Sequence, residues 1–145
     1  MNGPRQTLLT LCLLGTVFLW PGAAGGDSYI SPERIAGVTT VDAEGLIELM
    51  TRTPGLVLID SRVSADRKDG YIEGSLSLPD SETDCTALAS LVPSLDNPVL
   101  FYCNGIRCAR SSHAATIARD CGYTTIYWFR AGVEEWRRQQ YPLVR

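Results

Sequence analysis

The chain has 145 residues, 45% apolar and 20% charged, which fits one globular domain with a packed core and excludes collagen-like, low-complexity and disordered classes. Its 13 basic and 16 acidic residues give a formal charge of −3, and with the basic side chains spread along the chain no electrostatic footprint for nucleic acid is visible. The five cysteines are the less ordinary count.

Residues 1–25 read as a secretory signal peptide. Arg5 supplies a basic start, residues 8–20 carry no charge, and Pro21 followed by Gly22, Ala23, Ala24 and Gly25 supplies a helix breaker and the small residues of a cleavage site. As a helix the uncharged run reaches about 20 Å, short of a hydrocarbon core of about 30 Å. The expectation is export to a periplasm or the exterior, with no stable membrane insertion once the leader is removed. Cys12 follows Leu11 rather than a small residue, which disfavours a lipid anchor there. Losing Arg5 and no acid leaves 12 basic against 16 acidic residues, a balance of −4.

Residues 28–39 show no period and read as a lead-in. Asp42 is a good helix N-cap, and Leu46, Ile47 and Met50 recur at helical spacing until Pro54-Gly55 stops the helix. Leu56-Val57-Leu58-Ile59 is a continuous apolar run, as in a strand buried on both faces. The stretch 60–74 is polar and turn-rich, residues 75–78 form a short alternating strand, and Pro79 closes it. Leu88, Leu91 and Val92 suggest a helix ending at Pro93, and Val99-Leu100-Phe101-Tyr102 is a second buried strand. Ala114, Ala115, Ile117, Ala118 and Cys121 mark a helical apolar face that Gly122 terminates. Residues 125–129 form a β-branched and aromatic strand, and residues 133–140 a last helix. Alternation of strand and helix at this spacing predicts an α/β fold with a mainly parallel sheet.

Cys103 follows the second buried strand directly. Ligands of open parallel sheets bind where carboxyl ends of strands meet helix N-termini. A helix start aims free N–H groups and a positive dipole end at the preceding loop, and a glycine-containing loop can turn successive N–H groups inward as an anion nest. Arg107 and Arg110 add positive charge. These effects favour thiolate over thiol and make Cys103 a candidate nucleophile; the plainer alternative is a small buried hydrophobe at a strand end. Asn104, Gly105 and Ile106 would act through their backbone.

The sequence Tyr102-Cys103-Asn104-Gly105-Ile106-Arg107-Cys108-Ala109-Arg110-Ser111 resembles the active-site loop of single-domain rhodanese-like sulfurtransferases. Leu58-Ile59-Asp60-Ser61-Arg62, with Gly70-Tyr71-Ile72-Glu73-Gly74-Ser75 and Leu78-Pro79, is similar to that family's N-terminal signature. Gly122-Tyr123, Tyr127, Gly132, Trp136 and Pro142 are similar to its C-terminal one. Three ordered motifs are far more specific than one loop, and together they cover residues 39–144.

The resemblance implies a central, mainly parallel five-stranded sheet flanked by helices, and covalent catalysis through a Cys103 persulfide without cofactor or metal. The donor would be a small sulfur-containing anion such as thiosulfate, the acceptor cyanide or a thiol. Asn104 to Arg110, including Cys108 and Ala109, would form the anion-binding loop around a catalytic Cys103, and Asp60 with Arg62 a support pair beneath it; a strand-end surface ion pair is the alternative for those two. The chain departs from the family pattern at Asn104, often basic, at Cys108, usually Arg, Thr or Ser, and at Tyr71, usually His.

Cys108 stands five positions after the nucleophile and is a candidate resolving thiol for a persulfide or sulfenate on Cys103. Cys85 with Cys121 is the one pairing of the four later cysteines that leaves the loop chemistry free; against that bridge, the helical period reads Cys121 as a plain core residue. Cys103, Cys108 and His113 lack a fourth zinc ligand nearby. The rival class is a non-catalytic rhodanese-like module that binds partners or senses redox state through Cys103 and Cys108.

Overall fold

The computed structural model describes Gly3 and residues 28–145. Apart from Gly3, the expected leader, with Cys12, lies outside the described residues.

Five strands form one sheet. They are β1 (Thr39–Val41), β2 (Val57–Asp60), β3 (Leu76–Ser77), β4 (Val99–Tyr102) and β5 (Ile126–Phe129). Their order is β1-β5-β4-β2-β3, and every pairing is parallel. The helices are α1 (Ala43–Arg52), α2 (Ser64–Arg67), α3 (Cys85–Leu91), α4 (Arg110–Asp120) and α5 (Gly132–Arg138). The sheet is therefore wholly rather than mainly parallel, as expected where helices cover both faces.

The central strand β4 shows why. All four of its residues are buried, and successive side chains enter opposite layers. Val99 and Phe101 join Ile59, Ile126 and Trp128 in the layer under α3 and α4. Leu100 and Tyr102 join Leu58, Phe129, Val133 and Trp136 in the layer under α1 and α5. Continuous apolar runs without polar alternation are the signature of such doubly covered strands.

Helix starts follow local chemistry. Asp42 Oδ1 accepts from Gly45 N–H at 2.8 Å and caps α1; Asp84 Oδ1 accepts from Ala87 N–H at 2.7 Å and caps α3. Gly122, at φ 97°, takes the left-handed conformation that ends α4.

Several elements differ from the sequence-based expectation. Part of the lead-in is strand: β1 pairs with β5 alone, and its exposed threonines leave no apolar run to read. The polar stretch 60–74 contains α2, a four-residue helix with no buried residue and hence no hydrophobic period. The strand at 75–78 is only two residues long, and α5 ends at Arg138 rather than 140. Cys121 is not a plain core residue: it is disulfide-bonded to Cys85, joining the end of α4 to the start of α3 with Cα atoms 5.5 Å apart.

Candidate active site

Cys103 sits directly past the carboxyl end of the central strand and is fully buried. The loop that follows runs to Ala109, from which α4 begins without a side-chain cap. The first-turn N–H groups of α4 therefore face the loop uncapped, and Cys108 lies two residues before the helix.

The loop is held from behind by α5. Val133 N–H donates to the Cys103 carbonyl at 3.0 Å, and Glu134 N–H donates to the Asn104 carbonyl at 2.8 Å. Gly132 makes this approach possible. It has φ 57°, and a Cβ there would overlap the Cys103 carbonyl oxygen. With its first two carbonyls fixed toward α5, the loop contains one backbone bond of its own, Cys108 N–H to the Gly105 carbonyl at 3.0 Å. The Glu134 side chain lies against Gly105.

Each sequence-derived loop residue has a defined place. Asn104 donates through Nδ2 to Asp66 Oδ2 at 2.9 Å, so its side chain is a tether as well as a backbone contributor. Ile106 is exposed, and its carbonyl accepts from Ser31 N–H at 2.7 Å. Arg107 is exposed, with Nη1 3.4 Å from Ser28 Oγ. The Ala109 carbonyl accepts from Ser112 Oγ at 2.8 Å and His113 N–H at 3.0 Å. Arg110 is half-exposed; its Nη1 lies 3.8 Å from Cys108 Sγ and its Nε 3.7 Å from Asp80 Oδ1. His113, an exposed residue of α4, has its Nδ1 3.3 Å from the other oxygen of Asp80.

Cys103 and Cys108 are joined as a disulfide, with Cα atoms 6.4 Å apart, inside the usual range for such bridges. Cys108 is the more accessible half: it is 9% exposed, Cys103 0%.

Asp60 and Arg62 form a buried pair, not a strand-end surface pair. The Asp60 carboxylate accepts from Arg62 backbone N–H, Nε and Nη2, from Arg67 Nη1 and from Tyr102 Oη, all within 3.1 Å. Arg62 also donates to the Asp66 and Gly70 carbonyls. Burial opposes the Arg62 charge, but the hydrogen bonds and charge of Asp60 outweigh it and raise its pKa. Tyr102 has one proton, which goes to Asp60, so Ser75 Oγ at 2.8 Å donates to Tyr102. Burial first, and the Asp60 charge second, push the Tyr102 hydroxyl far above the ordinary tyrosine range. Tyr102 precedes Cys103, and Asp66 holds Asn104, so this network grips both sides of Cys103.

Sequence reasoning missed Arg67, Tyr102 and Ser75 as network members, and Arg130, whose guanidinium donates to the Ser31 and Pro32 carbonyls at 2.8 and 2.7 Å. That contact fastens the lead-in across the loop next to Ile106. Polar residues buried by tertiary packing carry no periodic signal: Tyr102 and Ser75, like Gly132, stand within the three sequence motifs, but nothing in those motifs shows which side chains meet. Among the described residues, no group of three or more His, Cys, Asp or Glu side chains is arranged to hold a metal ion, and no helix is long and apolar enough to cross a membrane.

Comparison with known proteins gives a consistent picture. Residues 42–139 match the family model described as "Rhodanese-like domain". The chain is 30% identical over 107 residues to a protein named "Sulfurtransferase" from Allochromatium vinosum, covering 74% of this chain and 95% of that one. It is 31% identical over 90 residues to the uncharacterized protein YibN of Escherichia coli, and spans only 61% of that relative's length. Among solved structures, the human single-domain sulfurtransferase TSTD1 superposes with a TM-score of 0.55 at 26% identity, over 69% of this chain and 96% of that one.

Proposed function

Because the chain belongs to the rhodanese-like domain family, we propose that it is an exported sulfurtransferase that moves sulfane sulfur through a persulfide on Cys103. The observation that carries the reading is the position of Cys103, at the carboxyl end of the central strand and before the uncapped start of α4. A thiol there is biased toward thiolate by the helix dipole and by nearby arginine.

The reduced Cys103 thiolate attacks the outer sulfur of thiosulfate. The S–S bond of the donor breaks, sulfite leaves with its electron pair, and a persulfide remains on Cys103. Arg107, whose contact with Ser28 Oγ is long at 3.4 Å, is free to meet the anion; Arg110 adds charge from the helix start. A thiophilic acceptor, cyanide or a thiol, then attacks the outer persulfide sulfur and restores the thiolate. No cofactor enters either step. Residues 1–25 act as the export leader in this reading, and export suits the Cys85–Cys121 disulfide, since such bridges persist outside the cytosol.

The test is mass measurement of the reduced chain after incubation with thiosulfate. A gain of about 32 Da, the mass of one sulfur atom, that is absent in Cys103→Ala supports the enzyme. If thiosulfate yields neither that adduct nor sulfite, and inorganic polysulfide yields neither the adduct nor sulfide, the chain is a rhodanese-like binding or redox-sensing module instead. Amino-terminal sequencing of the protein from an expressing cell's exported fraction tests the leader, and an intact Met1 in the cell interior overturns export.

A further inference from the structure

Cys108 does more than shape the loop. Resting on the sulfurtransferase reading, the geometry points to a second activity at the same site: reductive release of hydrogen sulfide, in which Cys108 discharges the Cys103 persulfide and a dithiol reductant closes the cycle.

Three observations support it. First, the two sulfurs are in bonding contact across a loop whose ends are otherwise fixed, by β4 at one side and α4 at the other. A thiol held in contact with the reacting sulfur outcompetes thiols in solution by orders of magnitude in effective concentration. Second, Cys108 Sγ lies 3.8 Å from Arg110 Nη1 and beside the uncapped first turn of α4; both favour its thiolate. Asp80 Oδ1, 3.7 Å from Arg110 Nε, holds that guanidinium in place. Third, Cys103 is 0% exposed, so a bulky acceptor meets a barrier that Cys108, already inside, does not.

The bridge also has little structural work. Cys85–Cys121 spans 36 positions and ties two helices, whereas Cys103–Cys108 spans five within one loop; disulfide stabilisation grows with the length of chain closed.

In the step itself, the Cys108 thiolate attacks the inner, Cys103 sulfur of the protonated persulfide. The Cys103–Cys108 bond forms, the bond to the outer sulfur breaks, and that sulfur departs with the electron pair and its proton as HS⁻. The two cysteines are oxidised by two electrons and the sulfane sulfur is reduced by two. An external dithiol then attacks Cys108 Sγ, the more exposed sulfur, forming a mixed disulfide that its second thiol resolves, and both cysteines return as thiols. Over a cycle, thiosulfate and a dithiol become sulfite, hydrogen sulfide and an oxidised dithiol. The bridged form described above is the product state of the sulfide-releasing step.

The test is a single turnover. The full mature chain is reduced, desalted under anaerobic conditions and mixed with stoichiometric thiosulfate, and sulfite, sulfide and chain mass are followed together. The expected course is sulfite first, then one sulfide per chain as the mass settles about 2 Da below the reduced starting value, with the new bridge mapped to Cys103 and Cys108. Cys108→Ser stops at the persulfide, about 32 Da heavier, and releases no sulfide; Cys108→Ala serves the same purpose if the serine variant does not fold. A wild-type chain that keeps the persulfide and releases sulfite but no sulfide overturns the inference and leaves the sulfurtransferase reading standing, as does sulfide release at the wild-type rate from either Cys108 variant. A wild-type chain that yields neither sulfite nor adduct from thiosulfate or inorganic polysulfide overturns both.

Discussion

Arg62 grips Asp60 with a two-pronged fork, Nε at 2.9 Å from Oδ1 and Nη2 at 2.6 Å from Oδ2, with both side chains sealed from solvent. The pair ties the end of β2 to the turn at Gly70 and, through Tyr102, to the residue before Cys103.

Removing one member leaves the other charged and buried. Asp60→Ala should therefore lower unfolding free energy by about 3–5 kcal/mol, read from urea denaturation. The double variant Asp60→Ala, Arg62→Met should recover part of that loss. If the single variant costs under about 1 kcal/mol, the pair is not the structural support described.

Gly132→Ala should damage the loop and not only the helix. The substitution meets both a positive φ and the Cys103 carbonyl, so it should cost upwards of about 1–3 kcal/mol and slow persulfide formation. Gly122→Ala is the control: its φ is 97°, yet a Cβ there meets only Leu95 Cδ1 at 3.6 Å. That variant should lose stability with the first sulfur-transfer step unchanged.

Loss of Cys85–Cys121, by changing both residues to Ala, should cost roughly 3–4 kcal/mol from loop-closure entropy for the 36-residue separation. Thermal unfolding reads the change. The rate of persulfide formation should stay the same, because neither residue contacts the loop.

Alkaline stability should report Tyr102. Its folded pKa is raised above the ordinary 10.0, by burial first and Asp60 second. The neutral phenol is thus favoured in the folded chain: the contribution is present in full below about pH 10 and is lost as pH rises beyond it, where the unfolded tyrosine ionises and the folded one does not. Tyr102→Phe should cost about 1–3 kcal/mol at neutral pH by leaving Asp60 and Ser75 a partner short, and its urea midpoint should decline less steeply than wild type between about pH 9 and pH 11. Parallel curves would show that Tyr102 ionises freely.

Much of this was legible beforehand, for physical reasons. Leu56 to Ile59 and Val99 to Tyr102 are apolar without alternation because both sheet faces are covered, and Asp42 announced its helix through its capping chemistry. Cys103 was legible because a strand running into a glycine-containing, arginine-bearing loop places it at the strand's carboxyl end. What stayed hidden depends on tertiary contact. The two exposed threonines of β1 become strand only by pairing with Tyr127 and Trp128. Nothing in the order Asp60, Arg67, Ser75, Tyr102 shows that they converge, and Arg130 reaches its carbonyl partners at Ser31 and Pro32 across almost a hundred residues of chain.

The pairing of β1 with β5 also bears on how the molecule is made. Residues 39–41 find their partners at 127–129, so the first strand synthesised waits for the last. Val133 and Glu134, which hold the Cys103 loop, emerge later still. A chain leaving a ribosome therefore cannot close its sheet or set the Cys103 loop until nearly all of it is out. From the emergence of Cys121 until that closure, each of the four thiols has more than one partner open to it.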